Sequence, residues 1–130
     1  MTRAVFIGRY SPFHKGHLAI MQQKIDEGVP ILILVRDTDF DIYSAKERER
    51  MINAAMLKIG ADAEVMIIPD IESVNYGRGV GYGINELEVP ENIKAISATD
   101  IRTRMANDDD SWREFMPEGT HEVIEEIGPK

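Results

Sequence analysis

The stretch GRYSPFHKGH, residues 8–17, lies where an apolar strand gives way to a helix. The residues before it, RAVFIG, predict a short buried strand that ends at Gly8. The residues after it, HLAIMQQKIDEG, have helical apolar spacing, and His17 is expected to open that helix. A tight turn needs only its glycines and its proline. The two histidines, the lysine and the arginine therefore indicate a chemical function for this turn.

Two further apolar runs alternate with a second amphipathic segment. PILILVRD, residues 30–37, predicts a strand buried on both faces. SAKERERMINAAMLKIG, residues 44–60, predicts a helix that begins with Ser44 and Glu47 at capping-box spacing. AEVMIIPD, residues 63–70, predicts a third strand.

This alternation predicts an α/β fold with a Rossmann-like open parallel sheet flanked by helices. A chain of 130 residues is expected to form a single compact domain, residues 1–130. Right-handed crossovers place both helices on one face of the sheet. Ligands in such sheets bind beyond the carboxyl ends of the strands. The turn at residues 8–17 lies at one of those ends.

The second half of the chain has weaker signals. Residues 71–92 contain glycines at every second position from Gly77 to Gly83, and they fit neither the dinucleotide fingerprint nor a P-loop. KAIS, residues 94–97, is interpreted as a short strand. SATDIRTRMAND predicts a helix with Ser97 as its N-cap, and THEVIEEIG predicts a final helix.

Composition restricts the class of protein. The net charge of −8 argues against broad nucleic-acid binding, which needs a basic surface. The absence of cysteine removes disulfides and thiolate sites. No signal peptide is recognised, and no apolar run approaches the ~20 residues needed to cross a bilayer. We expect a cytoplasmic protein that binds neither membranes nor nucleic acid.

The residue types in the first turn favour phosphate binding over metal binding. Glycine at positions 8 and 16 lets the backbone approach a ligand, and a helix N-terminus favours an anion. His14 and His17 can donate hydrogen bonds, while Arg9 and Lys15 add positive charge. A catalytic zinc needs three protein ligands, and spacing suggests no third one, so we predict no metal site.

A second polar turn, SATDIR, supplies two hydroxyl groups and Arg102 at another turn into a helix. The first turn resembles the H-x-G-H signature of the nucleotidyltransferase superfamily, and ISATDIR resembles its second signature, ISSTxxR or SGTxxR. Within that superfamily the chain is most similar to archaeal-type nicotinamide mononucleotide adenylyltransferases. KERERMI, the IPDIE stretch and the tryptophan and proline after the second motif extend the resemblance to all but residues 73–92.

The resemblance implies transfer of an adenylyl group from ATP, with Mg²⁺, to a phosphate-bearing acceptor. His14, His17 and Arg102 are then the expected catalytic residues. The residues expected to bind ATP are Gly8, Arg9, Tyr10, His14, Gly16, His17, Ser97, Thr99 and Arg102. The metal is expected to bridge phosphate oxygens and to keep mostly water ligands.

Nicotinamide mononucleotide is the acceptor that the resemblance implies, with NAD and pyrophosphate as products. In that family the segment before the second motif is longer and carries an aromatic residue, commonly tryptophan. Here Tyr76, Arg78 and Tyr82 are the candidate acceptor-binding residues. The alternatives are a cytidylyltransferase, a pantetheine-phosphate adenylyltransferase, a non-catalytic nucleotide-binding regulator or a plain interaction domain. Relatives are often oligomers, so a homo-oligomer is expected by analogy.

Overall fold

The computed structural model describes residues 2–79 and 81–130, and strands and helices alternate through its first half. That half consists of β1 (Ala4–Gly8), α1 (Lys15–Asp26), β2 (Ile31–Asp37), α2 (Ala45–Ile59) and β3 (Ala63–Pro69). The second half is helical, with α3 (Glu91–Lys94), α4 (Ala98–Ala106), a 3-10 helix (Asp110–Phe115) and α5 (Thr120–Ile127).

The three strands form one parallel sheet in the order β1-β2-β3. Its register places Phe6 beside Ile33, and Ile33 beside Val65. Strands connected in this order by helices are the signature of the Rossmann-like α/β class, so the predicted fold class is confirmed. All three strands point the same way, and their carboxyl ends meet at one edge.

One face of the sheet is covered by helices and the other is largely open. Ile31, Ile33 and Val35 of β2 are fully buried among core residues from α1 and α2. On the opposite face, Val5 is 52% exposed and Met66 is 49% exposed. Fully and partly buried residues alternate along β2 itself, so the expectation that β2 is buried on both faces holds only for the face that the helices cover. Both crossover helices pack on the same face, as right-handed connections require.

Capping residues define the ends of α2. Ser44 Oγ accepts a hydrogen bond from Glu47 N at 3.1 Å, and Glu47 Oε1 accepts one from Ser44 N at 2.8 Å. Gly60 ends the helix in the left-handed conformation, at φ 67°. The capping box and the glycine stop were both predicted, because such signals lie within a few residues of one another.

The predicted helices of the second half are confirmed, whereas the predicted strand at residues 94–97 is wrong. The chain there leaves α3, and Ala95 N donates to Glu91 O at 3.0 Å. A short apolar run does not distinguish a strand from a helical turn. Pro90 precedes α3, where its missing N–H costs nothing.

Residues 71–90 contain no helix or strand in the part that the structure describes. This irregular segment leads from the carboxyl end of β3 to α3, which packs against α1. Within the described residues the longest helix, α2, has 15 residues, and none is both long and apolar enough to cross a membrane.

Candidate functional site

The first turn is built around two histidines that cap α1 reciprocally. His14 is the N-cap residue, and its Nδ1 accepts hydrogen bonds from Gly16 N at 3.0 Å and His17 N at 3.4 Å. His17 Nδ1 accepts from His14 N at 3.2 Å. The helix thus begins at Lys15, and the expectation that His17 opens it is wrong by two residues. Because both Nδ1 atoms accept, both imidazoles carry their proton on Nε2.

Both imidazoles are neutral at pH 7. Burial lowers the pKa of His14 to about 4. Burial, together with the nearby His14, lowers the pKa of His17 to about 3. The two rings stack with centroids 3.7 Å apart, so a charge on either would be close to the other. These side chains therefore serve as neutral hydrogen-bond donors.

Both glycines of the turn allow a ring to fold back onto the backbone. A Cβ at Gly16 would lie 2.8 Å from His14 Cε1, and one at Gly8 would lie 2.8 Å from Tyr10 Cζ. Tyr10 has a φ of 53° and is 6% exposed, with its ring edge-on to His17 at 5.0 Å. Both positions therefore require glycine, because any larger residue would place its Cβ against one of these two rings.

Arg9 is held by a carboxylate that the sequence analysis did not select. Its Nε donates to Asp41 Oδ2 at 3.2 Å, its Nη2 pairs with Oδ1, and its guanidinium lies 4.5 Å from the Phe40 ring centroid. Burial alone would raise the pKa of Asp41, but hydrogen bonds from Arg9 and Thr38 lower it to about 2. Asp41 is therefore ionised at neutral pH.

Arg48 of α2 connects three segments around this pair. Its side chain is fully buried, and its Nε donates to Tyr43 O at 3.1 Å. Its Nη1 donates to Arg9 O at 2.7 Å and to Arg36 O at 3.0 Å. The same Nη1 lies 4.0 Å from Asp41 Oδ2. Arg48 thus fixes the backbone of both arginines relative to α2.

The second turn meets the first through Arg102. Ser97 is the predicted N-cap of α4, and its Oγ accepts from Asp100 N at 3.3 Å. Arg102 Nη1 donates to Ser11 O at 2.6 Å, and Nη2 donates to Thr99 Oγ1 at 3.3 Å. The two motifs, about 90 residues apart in the chain, therefore form one site.

A polar cleft of about 280 Å³ lies between the two turns. Its lining consists of Arg9, Tyr10, Ser11, His17, Arg36, Ala98, Thr99 and Arg102. A neighbouring apolar cavity of about 270 Å³ shares Tyr10 and His17 with it. Three arginines, a neutral imidazole donor and a helix N-terminus surround one small volume, an arrangement suited to a polyphosphate.

The candidate acceptor residues lie elsewhere. Tyr76 is 63% exposed, Tyr82 is 65% exposed and Arg78 is also exposed. None of these three is among the described residues that line the cleft, so their role stays a prediction. Arg36 does line it, although the sequence analysis did not select it. The sequence signal that could have identified Arg36 is its position at the polar end of an apolar strand.

The described side chains offer no cluster of metal ligands. Among residues 2–79 and 81–130, no group of three or more histidine or acidic side chains is arranged to hold a metal ion. Carboxylates are likewise missing from the described lining of the cleft. A cation at this site would therefore depend on oxygens supplied by a ligand and by water.

Comparison with known proteins agrees with this geometry. Residues 5–127 match the family model described as cytidylyltransferase-like. The chain is 29% identical to the nicotinamide-nucleotide adenylyltransferase of Sulfurisphaera tokodaii, over 96% of this chain and 91% of that protein. It is 32% identical to the protein of the same name from Haloarcula marismortui, over 96% of this chain and 81% of that protein. It is 31% identical to the nicotinamide-nucleotide adenylyltransferase of Methanococcus vannielii, over 96% of this chain and 89% of that protein. The chain therefore belongs to the cytidylyltransferase-like family.

Proposed function

We propose that this protein is an enzyme that transfers the adenylyl group of ATP to nicotinamide mononucleotide, giving NAD and pyrophosphate. The observation that carries the proposal is the convergence of both turns on one cleft through the hydrogen bond from Arg102 to Ser11 O. The relatives named nicotinamide-nucleotide adenylyltransferase, which align with nearly the whole chain, support the choice of acceptor.

The reaction needs positioning and charge stabilisation. A phosphate oxygen of the acceptor attacks the α-phosphorus of ATP, and a new P–O bond forms as the bond to the β-phosphate oxygen breaks. Pyrophosphate leaves with the electron pair of that bond. Negative charge grows on the leaving group and around the α-phosphate. Fixed donors aimed at that charge lower the barrier without a covalent intermediate.

His17 is the donor assigned to the α-phosphate. Its Nδ1 is occupied by His14 N, so its Nε2–H is available to a ligand in the cleft that it lines. A low pKa keeps the ring neutral across the physiological range, so its donor capacity does not change with pH there. The resemblance assigns His14 to the same phosphates, although its buried ring caps α1 and is outside the described lining of the cleft.

The leaving pyrophosphate is assigned to the start of α4. Thr99 and Arg102 line the cleft there, and Ser97 caps the helix. The N-terminal N–H groups of α4 favour an anion. Arg9 adds a further positive charge, with its guanidinium oriented by Asp41.

Mg²⁺ fits this assignment as a companion of the nucleotide. The cleft is lined by positively charged arginine side chains and by hydroxyl groups, whereas Mg²⁺ prefers phosphate and water oxygens as ligands. Bound to ATP, it supplies charge neutralisation on the phosphates. The substrates are then the small molecules ATP and a phosphorylated acceptor. A cytoplasmic location and a homo-oligomeric state remain parts of the proposal.

The test is product analysis with ATP, Mg²⁺ and nicotinamide mononucleotide. We expect equal amounts of pyrophosphate and NAD, and no reaction with nicotinamide riboside, which lacks the attacking phosphate. Turnover with CTP or with pantetheine phosphate, but not with this pair, would identify a different transferase. ATP binding without pyrophosphate release from any pair would identify a nucleotide-binding regulator instead.

A further inference from the structure

We propose that Arg36 binds the phosphate group of the acceptor, an assignment that rests on the proposed adenylyl transfer. Arg36 is the sixth residue of β2, and it lines the same cleft as His17 and Arg102. A guanidinium there can hold a phosphate monoester through paired N–H donors. The ligand class is thus a small phosphorylated molecule.

The position of Arg36 in the sheet separates it from Arg102. Alternation along β2 places Arg36 on the face opposite the fully buried Val35. Arg102 instead belongs to α4, whose Ile101 and Met105 are part of the core that covers the Val35 face. The two guanidiniums therefore reach the cleft from opposite faces of the sheet.

This separation matches the geometry of the reaction. In-line displacement requires the attacking oxygen and the leaving pyrophosphate to lie on opposite sides of the α-phosphorus. With the pyrophosphate at Arg102 and the α-phosphate at His17, the attacking phosphate lies on the side of Arg36. Each of the two anionic groups then has its own arginine.

Arg36 is held in place at both ends. Its carbonyl accepts the hydrogen bond from the buried Arg48 Nη1 at 3.0 Å. Its Nε donates to Asp70 Oδ1 at 2.7 Å, and that oxygen also accepts from Ile71 N at 2.9 Å. Within the described part of the chain, its two Nη groups have no hydrogen-bond partner. Asp70 thus orients the guanidinium and leaves its outer edge for a ligand.

Arg36 has a stronger structural case than Arg78, the arginine selected from the sequence. Arg78 is exposed in the irregular segment and is outside the described lining of the cleft. Arg36 stands on a central strand, and its side chain is 30% exposed, so it is anchored yet reachable. A fixed guanidinium loses less entropy on binding than a mobile one.

Isothermal titration calorimetry on the full chain tests the assignment. The protein is saturated with α,β-methylene-ATP and Mg²⁺ and titrated with nicotinamide mononucleotide, ribose 5-phosphate or nicotinamide riboside. Arg36→Gln is compared with the wild type and with Arg50→Gln, which removes the same charge from an exposed pair with Glu126, outside the described lining of the cleft. Arg36→Lys keeps the charge, and circular dichroism checks that each variant folds.

We expect Arg36→Gln to weaken binding of both phosphorylated probes by about tenfold or more, the scale of a lost charge-assisted hydrogen bond. Affinity for the ATP analogue and for nicotinamide riboside stays close to that of the wild type. Arg36→Lys recovers part of the loss, and Arg50→Gln shows none. Equal affinity in Arg36→Gln, a tenfold loss in Arg78→Gln alone, or no binding of either phosphorylated probe to the wild type overturns the assignment. A wild type that binds both probes through Arg36 but forms no NAD would refute the proposed acceptor and leave this site standing.

Discussion

The two ring nitrogens of His17 have separate roles. Nδ1 accepts a hydrogen bond from His14 N at 3.2 Å, which fixes the tautomer. The Nε2–H group is then available to a ligand in the cleft that His17 lines. Its ring packs edge-on against Tyr10 at 5.0 Å, and it stacks on His14 at 3.7 Å and on Phe13 at 5.8 Å, measured between ring centroids. These three aromatic neighbours hold the donor in one orientation, which is what transition-state stabilisation requires.

His17→Ala is expected to lower kcat by roughly 10²–10³, the scale of losing one transition-state donor. The affinity for an ATP analogue is expected to change little, because we assign the ground-state phosphate contacts mainly to the arginines that line the cleft. Steady-state kinetics and calorimetry on the same preparation measure the two effects. A variant with wild-type turnover would remove His17 from the mechanism.

His17 also makes the stability of the fold depend on pH. Its pKa is about 3 in the folded chain and about 6.5 when unfolded, so in this interval only the unfolded state gains a proton. The free energy of unfolding therefore falls as the pH drops from 6.5 towards 4. His17→Gln keeps a capping side chain but cannot titrate, and we expect a shallower fall in urea titrations at pH 7, 5.5 and 4. Identical pH slopes for the two proteins would contradict a buried, neutral imidazole.

At the scale of the element, α1 and its cap depend on the small residue at position 16. Gly16→Ala places a Cβ 2.8 Å from His14 Cε1 and 3.0 Å from its Nδ1. The imidazole must move, which breaks the cap, although alanine itself favours the helix by about 1 kcal/mol. We expect a loss of activity, with a Tm no higher than that of the wild type.

Gly77→Ala is the matched control for the unfolding measurement, because a Cβ there meets no atom within 4 Å. A gain in stability together with full activity in Gly16→Ala would show that the His14 ring is not held against this glycine.

Helix α2 contributes to the site through Arg48. A lysine in its place provides charge but cannot donate at once to Arg9 O, Arg36 O and Tyr43 O. Arg48→Lys is expected to reduce the free energy of unfolding by about 2 kcal/mol, since buried carbonyls lose their donors. Because the backbone of both arginines is released, the KM values for ATP and for the acceptor rise as well. Chemical denaturation and kinetics would both have to be unchanged to refute this role.

The boundaries of these elements show what a sequence reveals at this scale. The capping box at Ser44 and Glu47 and the stop at Gly60 were predicted, because their signals are local. The residues KAIS were assigned to a strand because four residues carry no periodicity that separates a strand from a helical turn. The start of α1 was placed too late, because histidine is an unusual N-cap residue.

At the scale of the whole molecule, the chain brings distant segments to one edge of a small sheet. The alternation of strands and helices predicted the fold class, and the two motifs predicted the turns that meet there. Arg36, Asp41 and Arg48 escaped prediction because their importance arises from tertiary contacts. The bond from Arg48 to Arg9 O, for example, spans 39 residues. No local pattern distinguishes such an arginine from one on the surface of a helix.

Charge is distributed unevenly over this molecule. The chain carries a net charge of −8, yet the cleft collects Arg9, Arg36 and Arg102 in its lining. Interactions between charges weaken over about 8–10 Å at physiological salt, so a bound phosphate responds mainly to these neighbours. The acidic surface is thereby compatible with an anionic ligand, while it disfavours the extended phosphate backbone of a nucleic acid.

The most direct test of adenylyl transfer follows the fate of each phosphate of ATP. The wild-type protein is incubated with nicotinamide mononucleotide, Mg²⁺ and ATP labelled with ³²P at either the α or the γ position. Adenylyl transfer predicts that the α label appears in NAD and the γ label in pyrophosphate. Release of the γ label as orthophosphate, or the absence of label from NAD while ATP still binds, would contradict this account of the cleft.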